Sequence, residues 1–291
     1  MHILRKYKWA ILVFIGPVFV LYTYFIIASV GATFYYSLTR WDAISKPLFV
    51  GFANYAEAFQ SEDFAIVMRN TLLGLIFSLL FQVSLGLIFA YLIFRTSRGF
   101  RLYRALVFMP VVLSQAAVAM MFTIFFNADI GPINNVLRIL GLNVLTRNWL
   151  SDKNVVFYTV LTPMIYQYIG LYVVILLAGM QSIPEDIIES AHIDGASSFR
   201  VFFNIVIPMQ LDIILICIIM ITTGLLKAFE HSYIMTWGGP GVRSAFLGVY
   251  MYFKAFMHAN FGRASTIAIV ILIAALVIST FFRWIVRKLN Y

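Results

Sequence analysis

The chain has 291 residues, of which 62% are hydrophobic and only 11% are charged. A soluble domain carries roughly a quarter charged residues, so this composition excludes a soluble enzyme or binding module and predicts a surface that mostly faces lipid. The net charge of +9 does not predict binding to nucleic acid, because the Lys and Arg residues lie between long apolar runs rather than on one polar surface.

The first apolar run extends without a charge from Trp9 to Thr39 and follows the basic residues Arg5, Lys6 and Lys8. A basic segment before an apolar run is also typical of a secretory signal peptide, and Val30-Gly31-Ala32 would be a weak cleavage site. The run is longer than the apolar region of a signal peptide. We therefore expect a retained transmembrane helix.

Five further stretches reach or approach the roughly 20 apolar residues that a helix needs to cross a membrane. They lie at residues 70–94, 105–127, 154–184, 213–235 and 264–282. The stretch at 213–235 is strongly apolar up to Leu226 and is then interrupted by Lys227 and Glu230. We expect it to cross as well, which predicts an all-α integral membrane fold with six transmembrane helices.

The basic residues predict the orientation, because cytoplasmic loops are enriched in Lys and Arg. The short connection between spans two and three is basic, and so is the C-terminal segment. These residues are Arg95, Arg98, Arg101, Arg104, Arg283, Arg287 and Lys288. An even number of spans places both segments and the N-terminus on one face, so both termini are predicted to be cytoplasmic in a multi-pass membrane protein. The loops at 40–68, 128–153 and 236–263 are then external.

The cytoplasmic loop at residues 181–208 is moderately polar and has the pattern of two short helices. Ser182 and Glu185 have the spacing of a capping box, and Gly195 supplies the positive φ angle that ends a helix. The second helix presents an apolar face, which needs a partner to cover it. That face consists of Phe199, Phe202, Phe203 and Val206.

Either lipid or a protein could cover this loop. A helix that lies on lipid usually has a basic polar face. The first helix is acidic instead, with Glu185, Asp186, Glu189 and Asp194, so anionic lipid would repel it. Docking to a protein is therefore favoured.

The same loop carries a motif of fixed spacing. Glu189-Ser190-Ala191 is followed after three residues by Gly195, and after nine more by Ile205-Val206-Ile207-Pro208. This pattern resembles the E-A-A, G and I-x-L-P loop of the permease subunits of ATP-binding-cassette (ABC) importers, from which it departs by Ser190 and Ile207. Four further segments resemble the carbohydrate-uptake branch of this family, the relatives of the maltose permease pair. They are residues 177–184, 194–197, 51–55 and 237–241.

The resemblance implies a type I importer permease fold, with 181–208 as a coupling loop that seats a helix in a groove of an ATPase subunit. It carries a coupling role over to Glu189, Ala191 and Gly195, and we include the neighbouring Asp194 as a fourth candidate. Ala191 is small and would allow close approach, Gly195 sets the angle between the helices, Glu189 can pair with a basic residue of the ATPase, and Asp194 completes the set.

The resemblance also implies the partners of the chain. They are a second permease subunit, which in the carbohydrate-uptake branch is usually a different chain, two ATPase subunits that bind ATP and Mg²⁺, and an extracytoplasmic solute-binding protein. Under this interpretation the chain forms half of the path for a sugar or oligosaccharide. It would bind no cofactor and hydrolyse no ATP itself.

Span four carries residues suited to a carbohydrate path. Tyr158, Thr162, Tyr166 and Gly170 follow one another at four-residue steps and so share one helix face, and Tyr172 lies on the same span. Aromatic rings can stack on sugar rings and Tyr hydroxyls can bond to sugar hydroxyls, and the resemblance places substrate contacts at about this depth. Alternatively, these tyrosines pack against neighbouring helices or anchor the interface. Tyr166, Gly170 and Tyr172 are the candidates.

Lys227 is the remaining candidate for the solute path, because a cation within a span is costly without a role. Either it lines the path and donates to the solute, or it pairs with Glu230 or His231, or it extends toward the outer face. A path role would favour an anionic sugar derivative or a glycerophosphate compound as cargo. The resemblance favours a neutral oligosaccharide, and the choice stays open.

Other function classes find less support. A single cysteine, Cys217, and four scattered histidines predict no metal site. Neither a phosphate-binding loop nor a hydrolase motif occurs, so we expect no catalytic residue. An ion-coupled secondary transporter is a distant alternative, since spans one to four and six hold no carboxylate. With no linker in the sequence, we expect one permease domain over residues 1–291, with its core spans at about 70–286.

Overall fold

The computed structural model describes residues 8–96 and 98–289, with side chains from Val13 to Lys288 apart from position 97. The basic residues Arg5 and Lys6, and also Ser97, lie outside the described residues. The described chain is largely helical. Its α-helices are α1 (Lys8–Tyr22), α2 (Ser29–Ser37), α3 (Ala53–Gln60), α4 (Glu62–Ser78), α5 (Ser84–Phe94), α6 (Phe100–Val112), α7 (Gln115–Phe125), α8 (Pro132–Ile139), α9 (Val156–Met180), α10 (Glu185–Ile193), α11 (Ser198–Val201), α12 (Ile207–Met209), α13 (Leu211–Leu226), α14 (Glu230–Thr236), α15 (Leu247–Tyr252) and α16 (Phe261–Leu289).

Wider π-type turns continue some of these helices, and two short strands lie near the start of the chain. The turns are Thr23–Ala28, Leu79–Val83, Phe202–Val206 and Phe253–Met257, a 3₁₀ turn covers Asn143–Leu145, and the strands are β1 (Thr39–Arg40) and β2 (Leu48–Phe49).

Among the described residues, five helical segments are long and apolar enough to cross a membrane. They are Val13–Ser37, Glu62–Phe94, Val156–Met180, Leu211–Thr236 and Phe261–Lys288. The pair α6 and α7 makes a sixth span when the two helices are counted together. The prediction of an all-α membrane fold with six spans is thereby confirmed.

Span three is not the continuous helix that the sequence predicts at 105–127, because α6 and α7 meet at 91°. Leu113 is extended, and the Ser114 hydroxyl caps α7 by accepting from the N–H of Ala117 at 3.2 Å. The carbonyl of Leu113 accepts from Gln167 Nε2 at 2.9 Å. A break at membrane depth requires such partners for its freed backbone groups. Hydropathy missed the break because the run stays free of charge across it and only Ser114 and Gln115 interrupt its apolar residues there.

Span five is interrupted where the sequence suggests. Helix α13 ends at Leu226, Lys227 is its C-cap residue, and α14 begins at Glu230. The N–H of Lys227 donates to the carbonyl of Gly224 at 3.3 Å. The charged residues therefore lie at a helix break rather than within a continuous helix.

The chain divides into two compact units, of which the first comprises Met1–Ser61 and Met251–Val270. In its described part, β1 pairs with β2 in antiparallel register, with Thr39 opposite Phe49. Asn54 Nδ2 donates to the carbonyls of Ser37 and Thr39 at 2.9 and 2.8 Å. The carbonyl of Trp41 accepts from the N–H of Phe261 at 2.8 Å, so this unit holds the β1–β2 hairpin against the start of α16.

The second unit comprises Glu62–Tyr250 and Ile271–Tyr291, and α9 lies at its centre. Val160, Val173 and Leu176 of α9 are fully buried, and this helix packs on both α5 and α6. The contact with α6 is very close, because a β-carbon at Gly170 would lie 2.0 Å from the carbonyl oxygen of Val107. The single permease domain that the sequence suggests stays a prediction.

Candidate functional site

A cavity of about 370 Å³ lies within the second unit, between spans two to five. Apolar side chains of α9 and α13 form much of its wall. Its polar and charged lining includes Gln82, Gln115, Tyr168, Tyr172, Lys227, Glu230 and His231. Polar groups inside a membrane bundle are costly and usually line a path or a binding site, and a concave site with a few convergent polar groups is the usual form of a ligand site.

Gln115 joins two other polar residues of the cavity. In the amide orientation that gives both of its polar atoms a partner, Gln115 donates from its nitrogen to Glu230 Oε2 at 2.6 Å and to Oε1 at 3.0 Å, while its oxygen accepts from the Tyr168 hydroxyl. This bridge connects the broken span three with α9 and α14. Hydrogen bonds to an ionised carboxylate are stronger than neutral ones, so the bridge holds Glu230 at the wall while the carboxylate keeps lone pairs that can accept from solute hydroxyls.

His231 and Gln82 complete the buried part of the lining. His231 is 3% exposed, and its Nε2 has no hydrogen-bond partner among the described residues. Gln82 Nε2 donates to the carbonyls of Met164 and Ile165, each at 3.3 Å. Leaving a buried polar atom unpaired is unfavourable, so the His231 ring offers a hydrogen-bonding position to whatever fills the cavity.

Lys227 lines the same cavity but is exposed. In the described part of the chain no ion pair joins it to Glu230. Its position at the C-terminal end of α13 is favourable for a cation, because the last carbonyls of a helix carry partial negative charge. Of the three alternatives for this residue, pairing with Glu230 is not observed, and the path and outer-face alternatives remain.

The four path candidates do not all meet. Tyr172 is buried in the cavity wall with Lys227. Tyr166 is exposed, with its ring 5.7 Å from that of Phe122, and Gly170 packs against the backbone of α6. The face of α9 that lines the cavity runs instead through residues 164, 168 and 172, which is a different four-residue series from the one the sequence suggests.

Gln115, Glu230 and His231 were not among the site residues predicted from sequence. The signal that could have found them is a polar side chain within or beside an apolar run. Spacing could not show that Gln115 faces Glu230, because the two belong to different spans and meet only through the bend in span three.

The coupling loop forms the predicted pair of short helices, with Gly195 between them. Gly195 has a φ angle of +79°, its N–H donates to the carbonyl of His192 at 3.0 Å, and the N–H of Ala196 donates to the carbonyl of Ala191 at 2.9 Å. These two bonds are those of a Schellman motif. Glu189 and Asp194 are exposed, as docking to a partner requires. Ala191 is half-buried and turns toward the core of its own chain.

The prediction that Ser182 and Glu185 form a capping box at the start of α10 is wrong. The Ser182 hydroxyl donates to the carbonyl of Gly179 at 2.7 Å, and Pro184 precedes α10 with no side-chain cap. Ser182 lies just past the end of α9, where free carbonyls need donors, so it caps the helix behind it rather than the one ahead.

The apolar face predicted for the second helix divides into two. Phe202 and Val206 are buried in the core, whereas Phe199 is 73% exposed and Phe203 is also exposed. The Tyr91 hydroxyl donates to the carbonyl of Ser198 at 3.0 Å, and the Tyr91 and Phe202 ring centroids are 4.7 Å apart. The loop is thus attached to the end of span two while its outer side stays open.

The chain is similar to known transport proteins over almost its whole length. It is 32% identical to the probable ABC transporter permease protein YurN of Bacillus subtilis, over 90% of each chain. It is 30% identical to the trehalose/maltose transport system permease protein MalF of Thermococcus litoralis, over 93% of this chain and 92% of that one.

A solved structure shares the fold. It is a bacterial alginate ABC transporter in complex with an alginate pentasaccharide-bound periplasmic protein, of which one chain is matched with a TM-score of 0.84 and 22% identity, over 100% of this chain and 99% of that one. The family model described as binding-protein-dependent transport system inner membrane component matches residues 82–291. The resemblance that rests on the loop at 181–208 is therefore confirmed, and the chain belongs to the family of membrane components of binding-protein-dependent ABC transport systems.

Proposed function

We propose that the chain is the permease subunit of an ABC importer and forms half of the path for a neutral sugar or oligosaccharide. The cavity carries this proposal, since Gln115, Tyr168, Tyr172, Glu230 and His231 bring hydrogen-bonding groups together inside an apolar bundle. A polyhydroxylated solute needs many such partners when it leaves water. The trehalose/maltose system among the relatives supports this class of cargo.

The partners follow from the same proposal. A second permease subunit would complete the path, two ATPase subunits would bind ATP and Mg²⁺, and a solute-binding protein would deliver the cargo. The alginate transporter in complex with a periplasmic protein supports the last of these. This chain would contribute no catalytic residue and no cofactor site.

The coupling loop would transmit ATPase closure to the spans. Exposed Glu189 on α10, exposed Asp194 directly after it and the exposed ring of Phe199 offer a docking surface. The Schellman motif at Gly195 joins α10 firmly to α11, and Tyr91 attaches α11 to span two. Movement of this loop would therefore shift spans two, four and five, which line the cavity. The loop and both termini would lie in the cytoplasm, and the protein in the cytoplasmic membrane.

An anionic sugar is the second candidate cargo. Lys227 contributes a cation to the cavity, and in the described part of the chain no ion pair joins this cation to Glu230. The alginate importer, whose cargo is acidic, supports this candidate. Lys227→Met keeps the length of the side chain and removes its charge and donor. It would abolish uptake of an alginate oligosaccharide under this candidate, and would leave uptake of a neutral sugar intact under the first.

Reconstitution tests the proposed function. The chain would be placed in proteoliposomes with its second permease, its ATPase and its binding protein, and uptake of labelled maltose, trehalose and an alginate oligosaccharide measured. We expect accumulation of one of them that needs both ATP and the binding protein and survives collapse of the ion gradients. Uptake that an ion gradient drives without ATP would establish the secondary-transporter alternative instead.

A further inference from the structure

Helix α8 lies in the connection between spans three and four and carries an apolar surface that the described chain leaves uncovered. Ile139 is 83% exposed and Val144, just beyond the helix, is 93% exposed. Val136 and Leu140 are also exposed. Exposed apolar surface of this kind in one short segment marks an interaction site.

The segment is held in a defined position by Asn134, which is 2% exposed. Its Nδ2 donates to the carbonyls of Ala128 and Arg147 at 3.0 and 2.9 Å. Its Oδ1 accepts from the N–H of Arg147 at 3.3 Å and from Trp149 Nε1 at 2.8 Å. The Asn134 amide thus uses all its hydrogen-bonding capacity within this loop. These bonds fix the position of α8 and of its exposed apolar surface.

The same bonds place α8 next to the end of span three. Helix α7 ends at Phe125 and Ala128 follows within three residues, and Asn134 binds the carbonyl of Ala128. Ile133 and Trp149 pack against the core of the unit on the inner side. Ile124 and Phe125 at the end of α7 are exposed as well, so exposed apolar side chains lie at both ends of this short connection.

The charge of the segment identifies its partner. Between Ile130 and Thr146 the only charged residue is Arg138, which lies at the polar edge of α8, where its guanidinium donates to the Asn135 side-chain oxygen at 3.3 Å. An apolar stripe with a basic residue at its edge and no acid is the composition of a helix that lies in a lipid interface. The acidic helix α10 in the coupling loop shows the opposite composition.

We propose that α8 is an interfacial helix that inserts Val136, Ile139 and Leu140 into the lipid leaflet on the side where span three ends, with Arg138 at the level of the lipid headgroups. It would fix the end of the broken span at the membrane surface. This inference concerns the lipid contact of the loop and does not depend on which solute is carried.

Fluorescence quenching tests the proposal in the assembled importer. Ile139→Cys is labelled with an environment-sensitive fluorophore and reconstituted in vesicles of phosphatidylethanolamine and phosphatidylglycerol. Ser151→Cys, at an exposed position of the same connection, is the matched control. The native Cys217 is buried, and the unsubstituted chain measures any labelling of it. Leu140→Cys repeats the test should the first variant assemble poorly.

We expect the fluorescence of the label at position 139 to be quenched more strongly by lipids with a doxyl group near the headgroup than by lipids with it near the chain end. Aqueous iodide should quench this label only weakly. The label at position 151 should be quenched by iodide. If the label at 139 is blue-shifted but insensitive to both quenchers, a protein subunit covers α8 and the proposal is wrong. Iodide quenching at 139 equal to that at 151 would show a water-exposed helix and would also overturn it.

Discussion

At the scale of single residues, the cavity depends on Gln115, which holds the Glu230 carboxylate and the Tyr168 hydroxyl together. Its role is positional, because its two polar atoms are used by two other cavity residues. Glu230, by contrast, retains acceptor positions toward the interior of the cavity. The roles of Gln115 and Glu230 can therefore be distinguished by substituting each residue.

Gln115→Leu should reduce uptake more than Glu230→Gln. The leucine removes both hydrogen bonds that the Gln115 amide donates to the carboxylate, and a hydrogen bond to a charged group contributes about 1.5–3 kcal/mol. A glutamine at position 230 still offers an oxygen to the Gln115 amide and keeps the bridge. The measurement is initial uptake rate in proteoliposomes, with the amount of assembled complex as control. Equal rates for the two variants would show that the bridge does not position the site.

At the scale of helices, the contact between α6 and α9 depends on Gly170. No side chain fits there, since a β-carbon would meet the carbonyl oxygen of Val107 at 2.0 Å. A β-carbon at Gly31, within α2, would meet nothing within 4 Å. The two glycines are therefore a matched pair for testing close helix approach.

Gly170→Ala should destabilise the protein by about 1–3 kcal/mol, as overpacking usually does. Gly31→Ala should be neutral or stabilise by about 0.5–1 kcal/mol, because alanine lowers the entropy cost of the helix. The thermal midpoint of the purified complex reports both changes. An unchanged thermal midpoint for the Gly170→Ala variant would show that α6 and α9 do not pack closely at Gly170.

A second helix-scale prediction concerns the turn at Gly195, whose φ angle is +79°. A β-carbon there would meet nothing within 4 Å, so the backbone conformation alone opposes substitution. Left-handed backbone costs about 1–2 kcal/mol for an ordinary L-residue. Gly195→Val should therefore change the angle between α10 and α11 and uncouple ATP hydrolysis from uptake.

Gly195→Asn is the control, because asparagine tolerates the left-handed region better than most residues. We expect it to keep the ratio of solute transported to ATP hydrolysed close to that of the unsubstituted protein. The valine variant should lower this ratio while the ATPase remains bound. A valine variant with a normal ratio would contradict the role given to the turn.

At the scale of the whole molecule, the orientation in the membrane decides which loops meet the ATPase. Basic residues predict that the connection at 95–104 and the loop at 181–208 are cytoplasmic. In whole cells, a cysteine introduced at Ser97 should resist a membrane-impermeant thiol reagent, and one at Ser151 should react with it. Reaction at 97 but not at 151 would invert the orientation and remove α10 from the ATPase side.

The sequence by itself determined the membrane class, the six spans, the turn at Gly195 and the family. These follow from apolar run length, basic loops and a motif of fixed spacing, each of which is local along the chain. It could not determine the bend in span three, because the run stays free of charge across Leu113 and Ser114. The amide that binds the Leu113 carbonyl comes from Gln167 in another span.

Only the tertiary structure decided which polar residues meet. Helical periodicity grouped Tyr166 with Gly170, but the packing of Gly170 on α6 turns that part of the face toward a neighbouring helix. With α9 in this orientation, Tyr168 and Tyr172 face the cavity. The bend in span three places Gln115 there, and the break after Lys227 places Glu230 within reach of it. Periodicity identifies the residues that share a face, whereas close packing between helices determines where that face points.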